Sequence, residues 1–396
     1  LSASDELPLS GLLVVSCEQA VAAPLATRHL ADLGARVIKI ERPGVGDFAR
    51  VYDETVNGLS SHFVWLNRSK ESLTLDLKDS RGLAVLRQLI ERADVFVQNF
   101  APGAAQRLGL SAPELTEHHP RLIHCSISGY GADGPYRDAK AYDLLIQAET
   151  GVLSITGTPE APSKAGIPVA DIAAGMYAFS GILAALVERG RTGRGRAVEI
   201  SLFDALAEWM GYPVLFTAYG GRQPARFGAA HPAIAPYGPF PAADGEIVIA
   251  IQNEREWVAF CAGVLQAPEI ATYPCFASNS ARVANREELD RVIVPILSAL
   301  TAADLTQRLN DARIANGRMN DVPGLLGHPQ LAQRDRWREI ESPVGPIRCL
   351  LPPINLPGTA PRLDGVPELG AHSAAILGEL GHDAVHVDTL RADGVI

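Results

Sequence analysis

Cysteine is scarce and scattered in this chain. Cys17, Cys125, Cys261, Cys275 and Cys349 form no CxxC pair and no Cys/His cluster at zinc spacing. That removes a disulfide framework and a zinc site, and leaves free thiols in a reducing compartment. A glycine-rich phosphate loop is also missing. The turn after the first apolar run reads Cys17-Glu18-Gln19-Ala20-Val21-Ala22-Ala23-Pro24, with no glycine to let backbone amides close on a pyrophosphate. Gly44-Val45-Gly46 comes after the second apolar run and lacks the third glycine. Dinucleotide binding is disfavoured and a P-loop is absent. Basic charge is short as well: 35 Lys and Arg stand against 45 Asp and Glu, a formal net charge of −10. This argues against nucleic-acid partners and leaves room only for a local basic site. Residues 1–13 carry an acidic pair and no basic segment, so no signal peptide is expected, and the opening on Leu1 in place of Met is read as processing or trimming. The longest apolar stretch, Ala178 to Val187, is read as too short for a bilayer. A cytoplasmic protein without a membrane partner is the expectation.

What is present is apolar substance in a regular order. With 396 residues, 47% hydrophobic and 20% charged, the chain exceeds one ordinary core. Short apolar runs at Leu12–Ser16, Arg36–Glu41, Leu73–Leu77, Val95–Asn99 and Leu122–Ser128 alternate with helical patterns at Pro24–Leu33 and Arg81–Ala93. Such alternation predicts βαβ units, right-handed crossovers and a Rossmann-like parallel sheet covered on both faces. Ile172–Arg189 predicts a long apolar helix, followed by a strand at Ala197–Ile200 and a helix from Phe203. Gly220–Pro241, rich in Gly, Pro and Ala, reads as a linker to a smaller α/β unit. The predicted organisation is a large domain over 1–219, linker and small domain over 220–325, and a return to the large domain over 326–396.

Two features carry chemistry. Arg42, Arg68, Lys70, Lys78, Arg107 and Lys140 fall at element ends, where together they could hold a phosphorylated ligand; singly, each reads as a solvated charge. Asp171 lies directly before the long apolar helix, in Gly166-Ile167-Pro168-Val169-Ala170-Asp171, with the small residues Ala173, Ala174 and Gly175 after it. Its plainest role is an N-cap. The same placement would keep a carboxylate ionised by the helix dipole, beside amides that stabilise an oxyanion, as covalent acyl transfer requires. Tyr142-Asp143 reads as turn chemistry with an ordinary cap, His231 as a loop histidine with pocket lining as its alternative role, His118-His119 as surface, and Asp204/Glu208 as a structural pair on a helix.

These segments resemble family III CoA-transferases, the group of formyl-CoA and carnitine CoA-transferases, related to acyl-CoA racemases. The resemblance runs nearly the whole chain. It rests on Leu9-Ser10-Gly11-Leu12, residues 35–43 (ARVIKIERP), 67–78 (NRSKESLTLDLK) and 93–100 (ADVFVQNF), on Arg107-Leu108-Gly109, Ser128-Gly129-Tyr130-Gly131 and Thr192-Gly193-Arg194-Gly195, and on the Asp171 segment. It implies an interlocked homodimer with a Rossmann-like large domain. It also implies Asp171 as nucleophile, coenzyme A as a substrate with no permanently bound cofactor or metal, and CoA contacts from Arg42, Leu75, Lys78, Asn99, Arg107 and Lys140. A substrate pocket of Val21, Tyr52 and Tyr142 follows from the same matches, with the segment around His231 expected to line it in place of the family's glycine-rich loop. At position 142 the racemases carry histidine; a phenol with a pKa of about 10 is a poor proton shuttle, which favours transfer over racemisation. The glycine-rich loop of the formyl-CoA enzymes is missing, and Tyr52 and Val21 replace their Trp and Gln. Succinyl-CoA as donor and a C4–C5 dicarboxylate such as itaconate as acceptor are expected, with Arg50 or His231 facing the distal carboxylate. An acyl-CoA racemase or isomerase and a non-catalytic CoA-binding protein are the alternatives.

Overall fold

The computed structural model describes residues 7–396, which fall into two compact units. The first takes the chain up to Thr150, Ala165–Gly211 and Arg334–Ile396; the second takes Gly151–Lys164 and Tyr212–Gln333. The unit boundaries lie at 212 and 334, against the expected 220 and 326. Part of the difference is that Gly211–Gly220 is helical, as are Val322–Leu326 and Pro329–Gln333.

In the first unit six parallel strands form one sheet: β1 Leu13–Cys17, β2 Arg36–Glu41, β3 Lys70–Thr74, β4 Val95–Gln98, β5 Ile123–Ser128 and β6 Ala197–Ser201, in the order β3-β2-β1-β4-β5-β6. This is the doubly wound order, whose switch point lies between β1 and β4. Val14, Val15, Val37, Ile38, Val95, Phe96, Val97 and Ile123 are all buried, so both faces of the central strands are covered. β3 starts three residues before its apolar run, because Lys70 and Ser72 are themselves buried in it.

Five helices position the candidate site: α1 Ala22–Asp32, α2 Ser80–Arg92, α3 Asp143–Glu149, α4 Val169–Thr192 and α5 Leu202–Trp209. α2 is amphipathic, capped by Asp79 and burying Val85, Leu86, Leu89 and Ile90. Every residue of α1 is buried. α4 is longer than expected at both ends and stops at Gly193, whose left-handed φ of 71° makes the C-cap. Its length and hydropathy would suffice to cross a membrane. The strictly apolar run is only part of this helix, so the expectation of a segment too short to span does not hold. In this unit α4 packs on α1 and β5, with Ala173, Ala174, Ala178, Ile182 and Ala185 buried.

The second unit has a three-stranded antiparallel sheet, Tyr237–Ala242, Gly245–Ala250 and Ala315–Arg318, with the middle strand in sequence also central in the sheet. Its own core gathers Ile247, Ile249, Trp257, Phe260, Leu289 and Leu305. All five cysteines are free thiols, three of them buried.

Candidate active site

Asp171 is the third residue of α4, inside its first turn; the N-cap is Pro168. The expected N-cap role therefore fails. The helix begins early because another side chain supplies the cap: Asp143 Oδ1 accepts from the Ala170 amide at 2.8 Å. The Asp171 carboxylate is partly buried, and among the described residues nothing donates a hydrogen bond to it. Burial first, and the neighbouring Asp143 carboxylate second, push its pKa from 3.8 up to about 7. This corrects the expectation that the helix start keeps it ionised: desolvation and a like charge outweigh the dipole.

The turn of α4 that follows Asp171 packs on the start of α1. Val21, its N-cap, packs with Leu25, Leu66 and Ile172, and no side chain caps the first turn. The two helices touch closely enough that a Cβ on Gly175 would stand 2.6 Å from the Ala22 carbonyl oxygen. The turn leading into α1 is held from two sides. Asn99 at the end of β4 accepts from the Gln19 amide at 3.0 Å and donates to its carbonyl at 2.9 Å. Asp47 Oδ1 accepts from the Ala20 amide at 3.0 Å, fixing Ala20 at a left-handed φ of 63°. Asp47 is anchored in turn by Lys39 at 2.7 Å, which stands 3.5 Å from Glu18, and Glu18 accepts from Lys70 at 2.7 Å. All four charges are buried, and each has an opposite partner.

Tyr52 and Tyr142 complete the surroundings. Burial and the nearby Asp47, Asp171 and Tyr142 raise the Tyr52 phenol to about 12. Tyr142 is exposed and immediately precedes α3. Along the carboxyl ends of the strands, Arg42 follows β2, Lys78 lies beyond β3, Arg107 ends a helical turn after β4, and Lys140 lies beyond β5. All four are exposed. Nearby carboxylates are already engaged with Lys39, Arg50, Arg68 and Lys70.

The family model for CoA-transferase family III matches residues 9–373. The chain belongs to CoA-transferase family III. An acetyl-CoA:oxalate CoA-transferase of Acetobacter aceti is 37% identical, over 90% of this chain and 93% of that protein. A succinate–glutarate CoA-transferase of Agrobacterium fabrum is 35% identical, over 94% and 96%. A crystal structure of a CaiB/BaiF family protein from Brucella suis superposes with a TM-score of 0.83 at 34% identity, covering 95% of this chain and all of that one.

The structure sorts the residues predicted for this CoA-transferase. Asp171, Val21, Tyr52 and Tyr142 come together, and Arg42, Lys78, Arg107 and Lys140 are exposed at the strand ends, without an ion-pair partner among the described residues. Leu75 is buried, and its amide donates to the Glu41 carbonyl. The Asn99 carboxamide is spent on Gln19, so its visible role is to shape the turn. Arg68 and Lys70 leave the basic set, being buried and paired with Asp32 and Glu18. Arg50 is engaged too: it grips Glu41 at 2.7 Å and lies on the Phe63 ring, so it is no free anchor for a substrate carboxylate. His231 belongs to the second unit, where its ring stacks on Tyr237 and Nδ1 accepts from the Ala233 amide. Sequence reasoning does not find Asp47 or Gln147, and it gives Asp143 only the role of a cap. The one sequence signal for Asp143 and Gln147 together is their i, i+4 spacing at the start of a short helix.

Proposed function

We propose that the chain transfers CoA from an acyl-CoA to a carboxylic acid through covalent intermediates on Asp171. The carrying observation is a half-buried carboxylate that no donor among the described residues engages, in the first turn of α4, a helix that packs on the uncapped start of α1. Without donors to satisfy it, the ionised form is poorly solvated and reactive, and its proton leaves near neutrality.

An Asp171 oxygen attacks the thioester carbonyl, the C–S bond breaks, and a mixed anhydride and CoA thiolate result. The thiolate attacks Asp171 Cγ, expels the donor acid as its carboxylate and leaves an aspartyl thioester. The acceptor carboxylate then attacks Cγ and releases thiolate, which takes the acceptor's acyl group and restores Asp171. No net proton is consumed. Each addition places negative charge on an oxygen, for which the Ala22 and Ala23 amides at the uncapped start of α1 are the proposed donors. Arg42, Lys78, Arg107 and Lys140 supply the charge for the CoA phosphates. Tyr142 stands where the related racemases carry histidine, which supports transfer over racemisation.

A small dicarboxylate is the proposed acceptor and succinyl-CoA the donor, with itaconate among the acceptors to test. Relatives named for oxalate and for succinate and glutarate support this substrate class. An interlocked homodimer in the cytoplasm is the proposed working form. Leu144, Leu145, Tyr177, Val187 and Trp209, exposed on α3, α4 and α5, are the apolar surface that supports it. The test is to incubate the protein with succinyl-CoA alone, quench with hydroxylamine and map the modified peptide by mass spectrometry. A hydroxamate at Asp171 is expected. An unmodified Asp171 under conditions of turnover sinks the mechanism, and an acceptor screen then reads the acid.

A further inference from the structure

α3 presents two polar side chains one turn apart, and both reach the chain that leads into α4. Asp143 Oδ1 accepts from the Ala170 amide at 2.8 Å, and its Oδ2 accepts from Gln147 Nε2 at 2.7 Å. Gln147, fully buried, accepts through Oε1 from the Ala165 amide at 2.9 Å. The direction of this chain is forced. A backbone N–H can only donate, so the Ala165 amide fixes the oxygen of Gln147 and turns its NH2 towards Asp143. The Ala170 amide likewise fixes the other Asp143 oxygen as an acceptor. Asp143 therefore faces two donors, one on each oxygen, and hydrogen bonds of this kind favour the charged form of a carboxyl over the neutral one.

We infer that Gln147 is a positioning residue whose fixed amide orientation keeps Asp143 ionised and so assigns the proton of the Asp143/Asp171 pair to Asp171. Two carboxyls that feel each other's charge titrate together, and differing surroundings decide which one holds a shared proton. Among the described residues Asp171 has no donor and Asp143 has two. Other groups do not compete for the role. On the elements packed against α4, the titratable side chains besides Asp143 are Glu149 at the far end of α3, Arg28, His29 and Asp32 at the far end of α1, Asp204 and Glu208 on α5, His124 and Cys125 on β5 and Glu199 on β6. None of these is among the causes that raise Asp171. Tyr52 and Tyr142 are phenols.

This deepens the proposed reading of the same site, so its test includes a measurement that needs no activity. Infrared difference spectra of the ligand-free protein at about pH 5 report protonated carboxyls. The band assigned to the pair should vanish in Asp171→Asn and persist in Asp143→Asn; the opposite pattern overturns the inference. Gln147→Met removes one donor from Asp143, lets it share the proton and moves the Asp171 titration down by about one pH unit. Gln147→Glu keeps the volume. When protonated it donates to Asp143 as Gln147 does, and when ionised it adds a negative charge, so the Asp171 titration moves up. Opposite shifts are the signature. A merely structural role would change stability and leave both midpoints in place, which would refute the assignment. The pH profile of CoA transfer should follow the same two shifts, and if transfer is absent altogether, the infrared titration still judges this inference separately.

Discussion

Gly175 lies one turn beyond Asp171, on the face of α4 that meets α1. In Gly175→Ala the new Cβ would stand 2.6 Å from the Ala22 carbonyl oxygen and 3.1 Å from two Leu25 side-chain atoms. A relaxed carbon–oxygen contact needs about 3.3 Å, so the helices must part by roughly 0.7 Å. The obstacle is backbone and cannot rotate away. Overpacking of this kind costs about 1–3 kcal/mol, against which alanine regains roughly 0.5–1 kcal/mol of helix propensity. The net loss should be on the order of 1 kcal/mol. The activity loss should be larger in proportion. Separating Asp171 from the α1 amides by a good part of an ångström is expected to slow CoA transfer about tenfold to a hundredfold. Gly190, on the same helix, meets nothing within 4 Å, so Gly190→Ala should gain about 0.5–1 kcal/mol and leave turnover alone. Urea unfolding and steady-state transfer rates on both variants make the comparison. If Gly175→Ala behaves like Gly190→Ala in both assays, the close approach of α1 and α4 does not set the geometry of the proposed nucleophile.

Further expectations concern charge. The donor half-reaction needs ionised Asp171, so its kcat/KM should rise about tenfold per pH unit up to roughly pH 7 and then level. A profile flat from pH 5 upwards would contradict this. The raised pKa also means that the folded chain holds a proton the unfolded chain has lost. Stability from this group is full below 3.8 and is lost as pH rises to about 7. Asp171→Asn should therefore abolish transfer yet raise the unfolding free energy at pH 8, with about 4 kcal/mol as the ceiling set by a shift of about 3 units. Lys39→Met leaves Asp47 buried without its cation and should cost about 3–5 kcal/mol in denaturant unfolding; a loss below about 1 kcal/mol would mean the network tolerates the vacancy. Arg107→Gln and Lys140→Gln should each raise KM for acyl-CoA several-fold, leave stability unchanged and weaken its salt dependence, which titrations at two ionic strengths would read.

The alternating apolar runs were enough to determine the parallel sheet and most of its helices, because strands covered on both faces must be apolar throughout. A distributed motif pattern was enough to determine the family, since it survives without any knowledge of contacts. Free surface cations such as Arg107 and Lys140 were legible for the same reason: their chemistry is local. Only the tertiary structure decided which charges are spent. Arg50, Arg68 and Lys70 look like Arg42 and Lys78 in sequence, yet folding brings Glu41, Asp32 and Glu18 to them from other elements. It also decided the state of Asp171. Sequence proximity to a helix start predicts a stabilised anion, while its burial and the carboxylate of Asp143, 28 positions earlier, produce the reverse. Electrostatic free energy depends on distance and desolvation through space, and neither can be read along the chain.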